Sequence, residues 1–466
     1  MHKVLHLMKR RQFIKQTGLA ALGFAGLRSY SLFASERMTL NPTIVGYGPL
    51  RPDPERILEL PEGFSYQVIA KEGRVMTDGL RLPAMPDGMA TFPGKEGRVI
   101  LAMNHEVNSS ASNSQGAFGK SNELLTPEIR DQLYDGGIKN PMLGGTTTHI
   151  YNPATGRIEA EYLSLGGTER NCAGGSTPWG TWITCEETDN ILAGGDWTQD
   201  HGYNFEVQAT EEIRLQKAIP LKAMGRFRHE AVAVDPDNSY VYQTEDVPDG
   251  AIYRFIPRTP GKLIDGGRLQ ALAIKNMAKC DTRNWGSRSF EEGRAYEVTW
   301  VDLDEVESPK NDLRHQAQSK GAAVFARAEG MWYANGEIYF ACTNGGHIKE
   351  GQIFRYRPSR EVGPDGGTLE LFVESKDANI LSYADNLTIS NYGDVIIAED
   401  TYDIRSCRIV GITPQGQCYH IARNAYNSSE LAGVCFSPDY KTLFANIQKT
   451  GITVAIQGPW ANRQVG

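Results

Sequence analysis

Runs of three to five mostly apolar residues, separated by Gly, Asn, Asp and Pro, recur along the chain after about residue 45. Short runs of this kind with turn signals between them are typical of β-strands. The runs span 99–103, 148–151, 232–234, 240–242, 252–255, 338–341, 353–356, 395–398, 434–436 and 442–445. The pattern predicts an all-β sandwich, barrel or propeller.

Two segments share one hairpin pattern, in which an x-Pro-Asp turn joins two strands. They read A-V-A-V-D-P-D-N-S-Y-V-Y at 231–242 and G-V-C-F-S-P-D-Y-K-T-L-F at 433–444. Repeated hairpins are typical of propeller blades, and about 420 mature residues suffice for six of them. We therefore expect a single six-bladed β-propeller. The polar stretches 107–143 and 276–320 are predicted insertions, with short helical turns such as 127–133.

Composition agrees with this prediction and narrows the function. The 466 residues include 49 Gly, 20 Tyr and 7 Trp, which suits an all-β protein with many turns. A formal net charge of -8 argues against a nucleic-acid partner, which would need a basic face. The seven cysteines contain no C-x-x-C pair, and an odd number leaves one thiol unpaired in an exported chain. Cys172 is the candidate for this unpaired thiol, and we expect a metal to hold it as a thiolate.

The N-terminus predicts a targeting segment. Lys9-Arg10-Arg11-Gln12-Phe13-Ile14-Lys15 precedes a weakly apolar run at 17–27, the pattern of a twin-arginine export signal. This run is too short to span a bilayer, so we expect no stable membrane anchor. We expect a signal peptide over 1–34, cleaved after Ala34, and a propeller domain over 45–466. The alternative for this segment is an amphipathic surface helix. Lys9 stands before the arginine pair where Ser or Thr is more usual.

The most unusual stretch is E-R-N-C-A-G-G-S-T-P-W-G-T-W-I-T-C-E-E-T at 169–188. Pro178 and Gly180 favour a turn around Trp179, and a β-type run then ends on Glu186 and Glu187. Two adjacent carboxylates at the end of a buried strand repel each other unless a cation neutralises them. The alternative is a surface turn with a solvated acidic pair.

Other residues with charged or metal-ligating side chains also lie at the ends of predicted strands. They are Asn104-His105-Glu106, His229-Glu230, Glu245-Asp246, Arg327 with Glu329, Asp385, Glu399-Asp400 and Glu430. In a propeller the strands nearest the axis begin at one face, so such residues converge on the central channel. Buried unpaired charges cost several kcal/mol each, so converging carboxylates require cations. Alternatively, these residues are ordinary acidic turn residues or strand-end caps.

Several common enzyme motifs are absent from the sequence. There is no P-loop, no H-E-x-x-H zinc motif and no G-x-S-x-G nucleophile turn. The nine histidines are scattered singly, which gives no support to a His-rich zinc site. The potential ligands are carboxylates, which suit calcium, and one thiolate, which together with carboxylates suits ferric iron.

The string R-N-C-A-G-G-S-T-P-W-G-T-W-I-T-C-E-E at 170–187 resembles the signature of the PhoX family of bacterial alkaline phosphatases. Further matches extend the resemblance from about residue 45 to the C-terminus. It implies a six-bladed propeller that is exported folded by the twin-arginine machinery to the periplasm or beyond. It also implies hydrolysis of small phosphate esters with Fe³⁺ and Ca²⁺ in place of zinc. We expect a monomer.

The resemblance also implies roles for individual residues. Cys172 is the thiolate ligand of iron, and further metal ligands are Glu187, Glu230, Glu329 and Asp385, with Glu186 in support. Asn104 and Glu106 complete a calcium site. Arg327 clamps the phosphate, because a guanidinium forks onto two oxygens, and Arg170 is a second candidate for that role.

Two other functions remain open on the sequence alone, because a propeller fold does not fix function. One is a non-catalytic calcium-binding propeller that serves as a ligand- or partner-binding scaffold. The other is a calcium-dependent propeller hydrolase of different chemistry, such as a lactonase.

Overall fold

A computed structural model describes residues 45–191, 197–359, 366–401 and 407–464. Gly46–Arg463 form one compact unit, and every strand of the described residues lies in it. The predicted signal peptide lies outside the described residues. No helix in the described ranges has the length and apolarity needed to cross a membrane.

The described chain is almost entirely β-structure. The strands are β1 (Leu58–Glu59), β2 (Ser65–Lys71), β3 (Pro86–Pro93), β4 (Val99–His105), β5 (Gly144–Asn152), β6 (Arg157–Thr168), β7 (Asn171–Ser176), β8 (Thr181–Glu186), β9 (Asn204–Gln208), β10 (His229–Val234), β11 (Val241–Glu245), β12 (Ile252–Pro257), β13 (Gly267–Ile274), β14 (Ala295–Asp302), β15 (Ala328–Ala334), β16 (Glu337–Cys342), β17 (Gln352–Pro358), β18 (Gly367–Glu374), β19 (Ala384–Ile389), β20 (Val395–Glu399), β21 (Arg408–Ile412), β22 (Cys418–Asn424), β23 (Leu431–Phe436), β24 (Thr442–Ile447) and β25 (Ile452–Gln457). The helices are α1 (Pro127–Gln132) and α2 (Leu313–Ser319), with 3-10 turns at Lys95–Gly97, Asn113–Gln115, Lys222–Met224, Leu263–Asp265 and Trp460–Asn462.

Both α-helices lie within the two stretches predicted as insertions. α1 begins after Thr126, whose side-chain oxygen accepts a hydrogen bond from the Ile129 N–H, and Pro127 occupies its first turn. The second stretch is not wholly an insertion, because it contains the sheet strand β14. β14 alternates exposed and buried residues along A-Y-E-V-T-W-V-D, a period-2 pattern that the prediction overlooked.

The strands form antiparallel meanders arranged as a propeller, which confirms the predicted fold. The sheets run β3-β4-β5-β6, β7-β8-β9, β10-β11-β12-β13-β14-β18-β17-β16-β15, β1-β22-β21-β20-β19 and β2-β25-β24-β23. Hydrogen bonding thus defines five sheets, because β14 pairs with β18 and joins two meanders into one sheet. Counted by innermost strands there are six blades, since β3, β7, β10, β15, β19 and β23 each contact the innermost strands on both sides and close a ring.

We number these blades 1 to 6 in chain order from β3. The N-terminal strands complete the last two blades, because β1 pairs with β22 in blade 5 and β2 pairs with β25 in blade 6. Strands from the beginning of the chain thus pair with strands near its end, and this pairing closes the ring of blades.

Apolar side chains pack mainly between neighbouring blades. One cluster joins Tyr242 and Trp300 of β11 and β14 to Phe340 and Phe354 of blade 4. The rings of Phe340 and Phe354 stack with centroids 5.2 Å apart. Burial of these faces is the main force that holds the blades together, and it leaves the strand ends to carry function.

All six innermost strands share a bulge near their first residues. In each one the pairing register with the second strand of the blade shifts after the first or second residue. A bulge leaves a residue without a partner and changes the direction of its side chain. The same local distortion is therefore repeated six times around the channel.

Glycine or alanine follows the bulged residue in five of the six innermost strands, and asparagine follows it in the sixth. The third residues of the six strands are Gly88, Ala173, Ala231, Gly330, Asn386 and Gly433. A Cβ added to Gly433 would collide with the carbonyl oxygen of Asp87, and one on Gly330 with that of Asp385. Glycine at these positions allows the backbones of neighbouring blades to approach closely.

Candidate active site and metal centre

The second residue of five innermost strands carries a potential metal ligand. These residues, which we call the inner ring, are Asp87, Cys172, Glu230, Glu329 and Asp385. All five are buried, and the corresponding residue of blade 6 is Ala432. Because the bulge recurs at the same place, chain positions far apart in sequence occupy equivalent places around the channel.

The residue that directly follows the second strand of each blade forms a further set. This outer ring consists of Glu106, Glu187, Asp246, Thr343, Asp400 and Gln448. Four of its six members are acidic, and Glu430, just before β23, adds another carboxylate beside Asp400, Glu106 and Asp87. The described channel residues thus include nine carboxylates and one thiol.

Two groups in these rings have the spacing of metal sites. Ligand atoms of Glu106, Cys172 and Glu187 all lie within 4.8 Å of one another, and so do those of Asp87, Glu106 and Glu430. The free thiol of Cys172 lies 3.4 Å from Glu187 Oε2. Glu106 belongs to both groups, so its carboxylate would contribute to both if each held an ion.

Two arginines counter part of this charge. Arg170 donates to Glu106 Oε1 from Nη2 at 2.7 Å and from Nε at 3.1 Å, and also contacts Glu187. Arg327 donates to both oxygens of Asp246 at 2.9 and 3.1 Å and contacts Glu329. Glu187 and Glu106 raise the pKa of Arg170 although burial opposes this, and Glu329 raises that of Arg327.

Both arginines occupy equivalent places and a rare backbone conformation. Each directly precedes an innermost strand, with φ of 51° at Arg170 and 41° at Arg327, and Met85 and Tyr383 do the same with φ of 53° and 47°. Non-glycine residues adopt this left-handed conformation at a cost, so the surrounding fold must enforce it. The Arg170 and Arg327 side chains are 32% and 28% exposed, in contrast to the buried inner ring. An anion that enters from solvent therefore meets guanidinium groups first.

The protein alone does not stabilise the charged forms of the carboxylates and the thiol in the two rings. Burial, and then neighbouring carboxylates, raises the pKa of Glu187, Glu230 and Asp385 well above the ordinary carboxyl range. Burial raises the pKa of Asp87 and of Glu329 to about 8, the latter despite Arg327. Burial and the nearby Glu230 likewise raise the pKa of the Cys172 thiol.

The residues present fit bound cations. Asp400 Oδ1 is buried and accepts no hydrogen bond from the described residues. A cation at the ring would reverse the unfavourable electrostatics, because it favours deprotonated thiols and carboxylates. The first group combines sulfur and oxygen donors, and the second offers oxygen donors alone.

Glu186 does not face the channel. Its Oε1 accepts hydrogen bonds from His201 Nδ1 at 2.7 Å and the Glu169 N–H at 2.9 Å. Its Oε2 accepts from the backbone N–H groups of Gly202 and Tyr203. A metal-binding role for Glu186, as predicted from the sequence, would require these hydrogen bonds to break. The geometry instead makes Glu186 a support for the loop behind Glu187.

Asn104 is also held by protein partners alone. Its Nδ2 donates to the carbonyl oxygens of Cys172 at 3.2 Å and Ala173 at 2.7 Å. Its Oδ1 accepts from Trp182 Nε1 at 2.8 Å and Thr146 Oγ1 at 2.9 Å. The structure therefore places Asn104 beside the backbone of the inner ring, whereas the calcium ligand role predicted for it needs a free oxygen.

The structure brings the other predicted residues together. Cys172, Glu187, Glu230, Glu329, Asp385, Glu106 and both arginines meet at one end of the channel. The prediction did not assign metal roles to Asp87, Asp246, Asp400 or Glu430. A signal for two of them was visible, because Glu245-Asp246 and Glu399-Asp400 repeat the Glu186-Glu187 pair after a second strand. Asp87 gave no such signal, since P-D-G is typical of a turn.

The channel narrows next to the inner ring. The third and fourth residues of the innermost strands line a cavity of about 20 Å³, room for roughly one water molecule. This cavity lies on the far side of the inner ring from the end where the innermost strands begin.

Fold and site define a β-propeller enzyme with an acidic centre suited to cations. A sequence profile described as alkaline phosphatase PhoX matches residues 45–451. The chain belongs to the PhoX alkaline phosphatase family and is a phosphoric ester hydrolase. No curated protein sequence compared with the chain matches it.

Solved structures of similar fold include that of Pseudomonas fluorescens PhoX in complex with vanadate, a transition state analogue. Its sequence is 18% identical, the TM-score is 0.63, and the alignment covers 89% of this chain and 98% of that one. A gluconolactonase from Xanthomonas campestris is 10% identical with a TM-score of 0.40, covering 90% and 99% of the two chains. The first similarity supports the propeller fold.

Proposed function

We propose that the protein hydrolyses phosphate esters with Fe³⁺ and Ca²⁺ held by the inner and outer rings. The observation that carries this proposal is the convergence of nine carboxylates and one thiol, countered in the described channel by Arg170 and Arg327. Such a cluster is electrostatically unfavourable without cations.

The donor types favour two kinds of ion. Cys172 with Glu187 and Glu106 combines a thiolate with carboxylates, the set that suits ferric iron. Asp87, Glu106 and Glu430 offer oxygen donors alone, which suits calcium. Glu230, Glu329 and Asp385 continue the inner ring and would supply the remaining carboxylates. When bound, such ions supply Lewis-acid stabilisation of the charge on the phosphoryl group.

The arginines would bind the phosphate of the substrate. Both guanidiniums lie at the exposed side of the rings and can fork onto two phosphate oxygens. Their carboxylate partners orient the planar groups before substrate arrives, which lowers the entropic cost of binding. Contacts that strengthen as charge builds on the phosphoryl oxygens lower the barrier for ester cleavage. The small cavity beyond the rings keeps the substrate on the open face.

The N-terminal pattern supports a cellular location for this activity. We propose that residues 1–34 direct export of the folded protein by the twin-arginine route, and that the mature monomer acts in the periplasm or outside the cell. Export after folding would allow the metal site to be loaded before the protein meets other ions.

Replacement of Cys172 by Ala tests the metal assignment. We expect Cys172→Ala to lose bound iron with its visible absorption and to lower turnover of p-nitrophenyl phosphate on the order of 1,000-fold. Cys435→Ala is the matched control, because Cys435 is a buried thiol of another innermost strand that packs in an apolar cluster. Wild-type iron content and turnover in Cys172→Ala would refute the proposal.

A further inference from the structure

Three blades carry a polar side chain on the second strand opposite the bulge or next to it. These are Asn104 in β4, Thr244 in β11 and Asn446 in β24. All three are fully buried. Asn104 lies between the residues paired to Pro86 and Met89, Thr244 lies between those paired to His229 and Val232, and Asn446 pairs with Ala432.

Each of these side chains crosses to the next blade in chain order, or from blade 6 to blade 1. Asn446 Nδ2 donates to the Asp87 carbonyl oxygen at 2.6 Å. Asn104 Nδ2 donates to the carbonyl oxygens of Cys172 and Ala173. Thr244 Oγ1 lies 2.6 Å from the Glu329 carbonyl oxygen and donates its proton there. The acceptor in every case includes the backbone of an inner-ring residue.

The donors are themselves oriented by further hydrogen bonds. Thr244 Oγ1 accepts from the Ala231 N–H at 2.9 Å. Asn446 Oδ1 accepts from Thr453 Oγ1 at 2.8 Å, and Trp182 and Thr146 hold Asn104. A buried donor with all its partners satisfied is rigid and costly to displace.

We propose that Thr244, Asn104 and Asn446 are positioning residues that set the spacing of metal ligands across blade boundaries. The ligand atoms of one ion would come from different blades, and the blades pack together mainly through apolar contacts, which have little directional preference. A directional hydrogen bond to the ligand's own carbonyl sets its distance from the neighbouring blade. This inference rests on the metal centre proposed above, and the positioning residues themselves do not touch the ions.

Thr244→Val tests the proposal because valine keeps the shape and removes the hydroxyl, which donates to the Glu329 carbonyl oxygen and accepts from the Ala231 N–H. We expect metal-loaded Thr244→Val to release its ions to excess chelator about 10-fold faster than wild type, the scale found when a partner of a metal ligand is lost. Thr244→Ser retains the hydroxyl and should restore the release rate to within about twofold of wild type.

Thr282→Val is the matched control. Thr282 is a buried threonine whose Oγ1 donates to the carbonyl oxygen of Val324 at 2.8 Å, and neither residue belongs to the inner or outer ring. It loses the same kind of hydrogen bond, so it reports the effect of stability alone. Release rates equal in Thr244→Val, Thr282→Val and wild type would overturn the proposal.

Two further measurements keep the test decisive. If Thr244→Val does not fold, Asn446→Asp serves instead, because aspartate has the same size but lacks the N–H that donates to the Asp87 carbonyl oxygen. A wild-type rate of metal release from Asn446→Asp would overturn the proposal. If wild-type protein binds neither iron nor calcium, the proposed metal centre fails. Amide hydrogen exchange of residues 328–331 in the metal-free protein then decides: faster exchange in Thr244→Val than in Thr282→Val supports positioning, and equal rates contradict it.

Discussion

Two sets of carboxylates that differ by one position in sequence have opposite surroundings. Glu187, Asp246 and Asp400 belong to the outer ring, whereas the preceding residues, Glu186, Glu245 and Glu399, turn into the blades. The blade-facing set is held by protein donors. Glu399, for example, accepts from the Ser382 N–H and from the Arg408 backbone and guanidinium at 2.8 to 2.9 Å.

The difference shows how the same side chain serves structure or chemistry. Glu187 is buried like the three blade-facing residues, and the side chains of Asp246 and Asp400 are only 10% and 14% exposed, so burial alone does not separate the two sets. Blade-facing carboxylates accept hydrogen bonds from backbone and side-chain donors inside the blades. Channel-facing carboxylates lie close to several other carboxylates, with Arg170 and Arg327 as their charged partners. Charge left uncompensated by the protein marks the place where a cation and an anionic substrate bind.

Metal removal should affect the channel-facing set most strongly. We expect a calcium chelator to abolish phosphatase activity, because the outer and inner rings lose the charge that holds them together, and added zinc should not restore it. The free energy of unfolding should fall by about 3 kcal/mol when the ions had been present at about 100 times their dissociation constant. Activity of the chelated protein on p-nitrophenyl phosphate and a denaturant titration measure both effects. Full activity after chelation would contradict the assignment.

Glu187→Gln should produce the next largest effect. The amide keeps the size but removes the negative charge beside Cys172, so kcat/KM should fall on the order of 100- to 1,000-fold. The metal-free variant should be at least as stable as the metal-free wild type, because one repelling charge is gone. Steady-state kinetics and thermal unfolding measure the two quantities. A variant that loses stability and keeps its activity would reverse our distinction between the two sets.

Glu186→Gln should show the opposite profile. Loss of the charge next to His201 weakens a buried ion pair, so the free energy of unfolding should fall by about 3 kcal/mol. The kcat of the folded fraction should stay within about threefold, since Glu186 does not face the channel. Denaturant unfolding compared with active-site-normalised kinetics separates these outcomes. A 100-fold loss of kcat with unchanged stability would show that Glu186 acts at the metal site.

The smallest expected effect concerns pH. Both ring nitrogens of His201 face carboxylates, and although burial opposes the charge, Glu186 and Asp135 raise the pKa of His201 to about 10. The folded pKa lies above the unfolded value of about 6.5, so this stabilisation is complete below pH 6.5 and is lost as the pH rises towards 10. His201→Gln should remove a slope of up to ~1.4 kcal/mol per pH unit in that window. Unfolding of the metal-free protein at pH 6.5, 8 and 10 measures it, and an unchanged slope would contradict the assignment.

Much of the fold could be predicted from the sequence because its signals are local. The run at 99–103 lies in β4, and the two x-Pro-Asp hairpins form β10–β11 and β23–β24. Period-2 strands and turn residues depend on neighbours in the chain, so they can be read directly. β14 was missed because its strand follows a long polar stretch that suggested an insertion.

The site was predicted less completely, and the bulges explain why. Strict alternation would assign the two faces of a strand from sequence alone, but a bulge shifts the register by one residue. The pair Glu186-Glu187 could not be separated without knowing this register. Asp87 in P-D-G suggested a turn, yet it lies in an innermost strand and joins the inner ring.

The sequence by itself determined the class of fold, the thiol with its acidic pair, and membership of a phosphatase family. These follow from local patterns and from a long, specific motif. Only the tertiary structure decided which carboxylates meet, because closure of the blades aligns six bulges that are separated by tens of residues in the chain. Which of several identical carboxylates faces the channel depends on the direction of its side chain. The pairing register of the backbone sets that direction, and the register is fixed only in the folded structure.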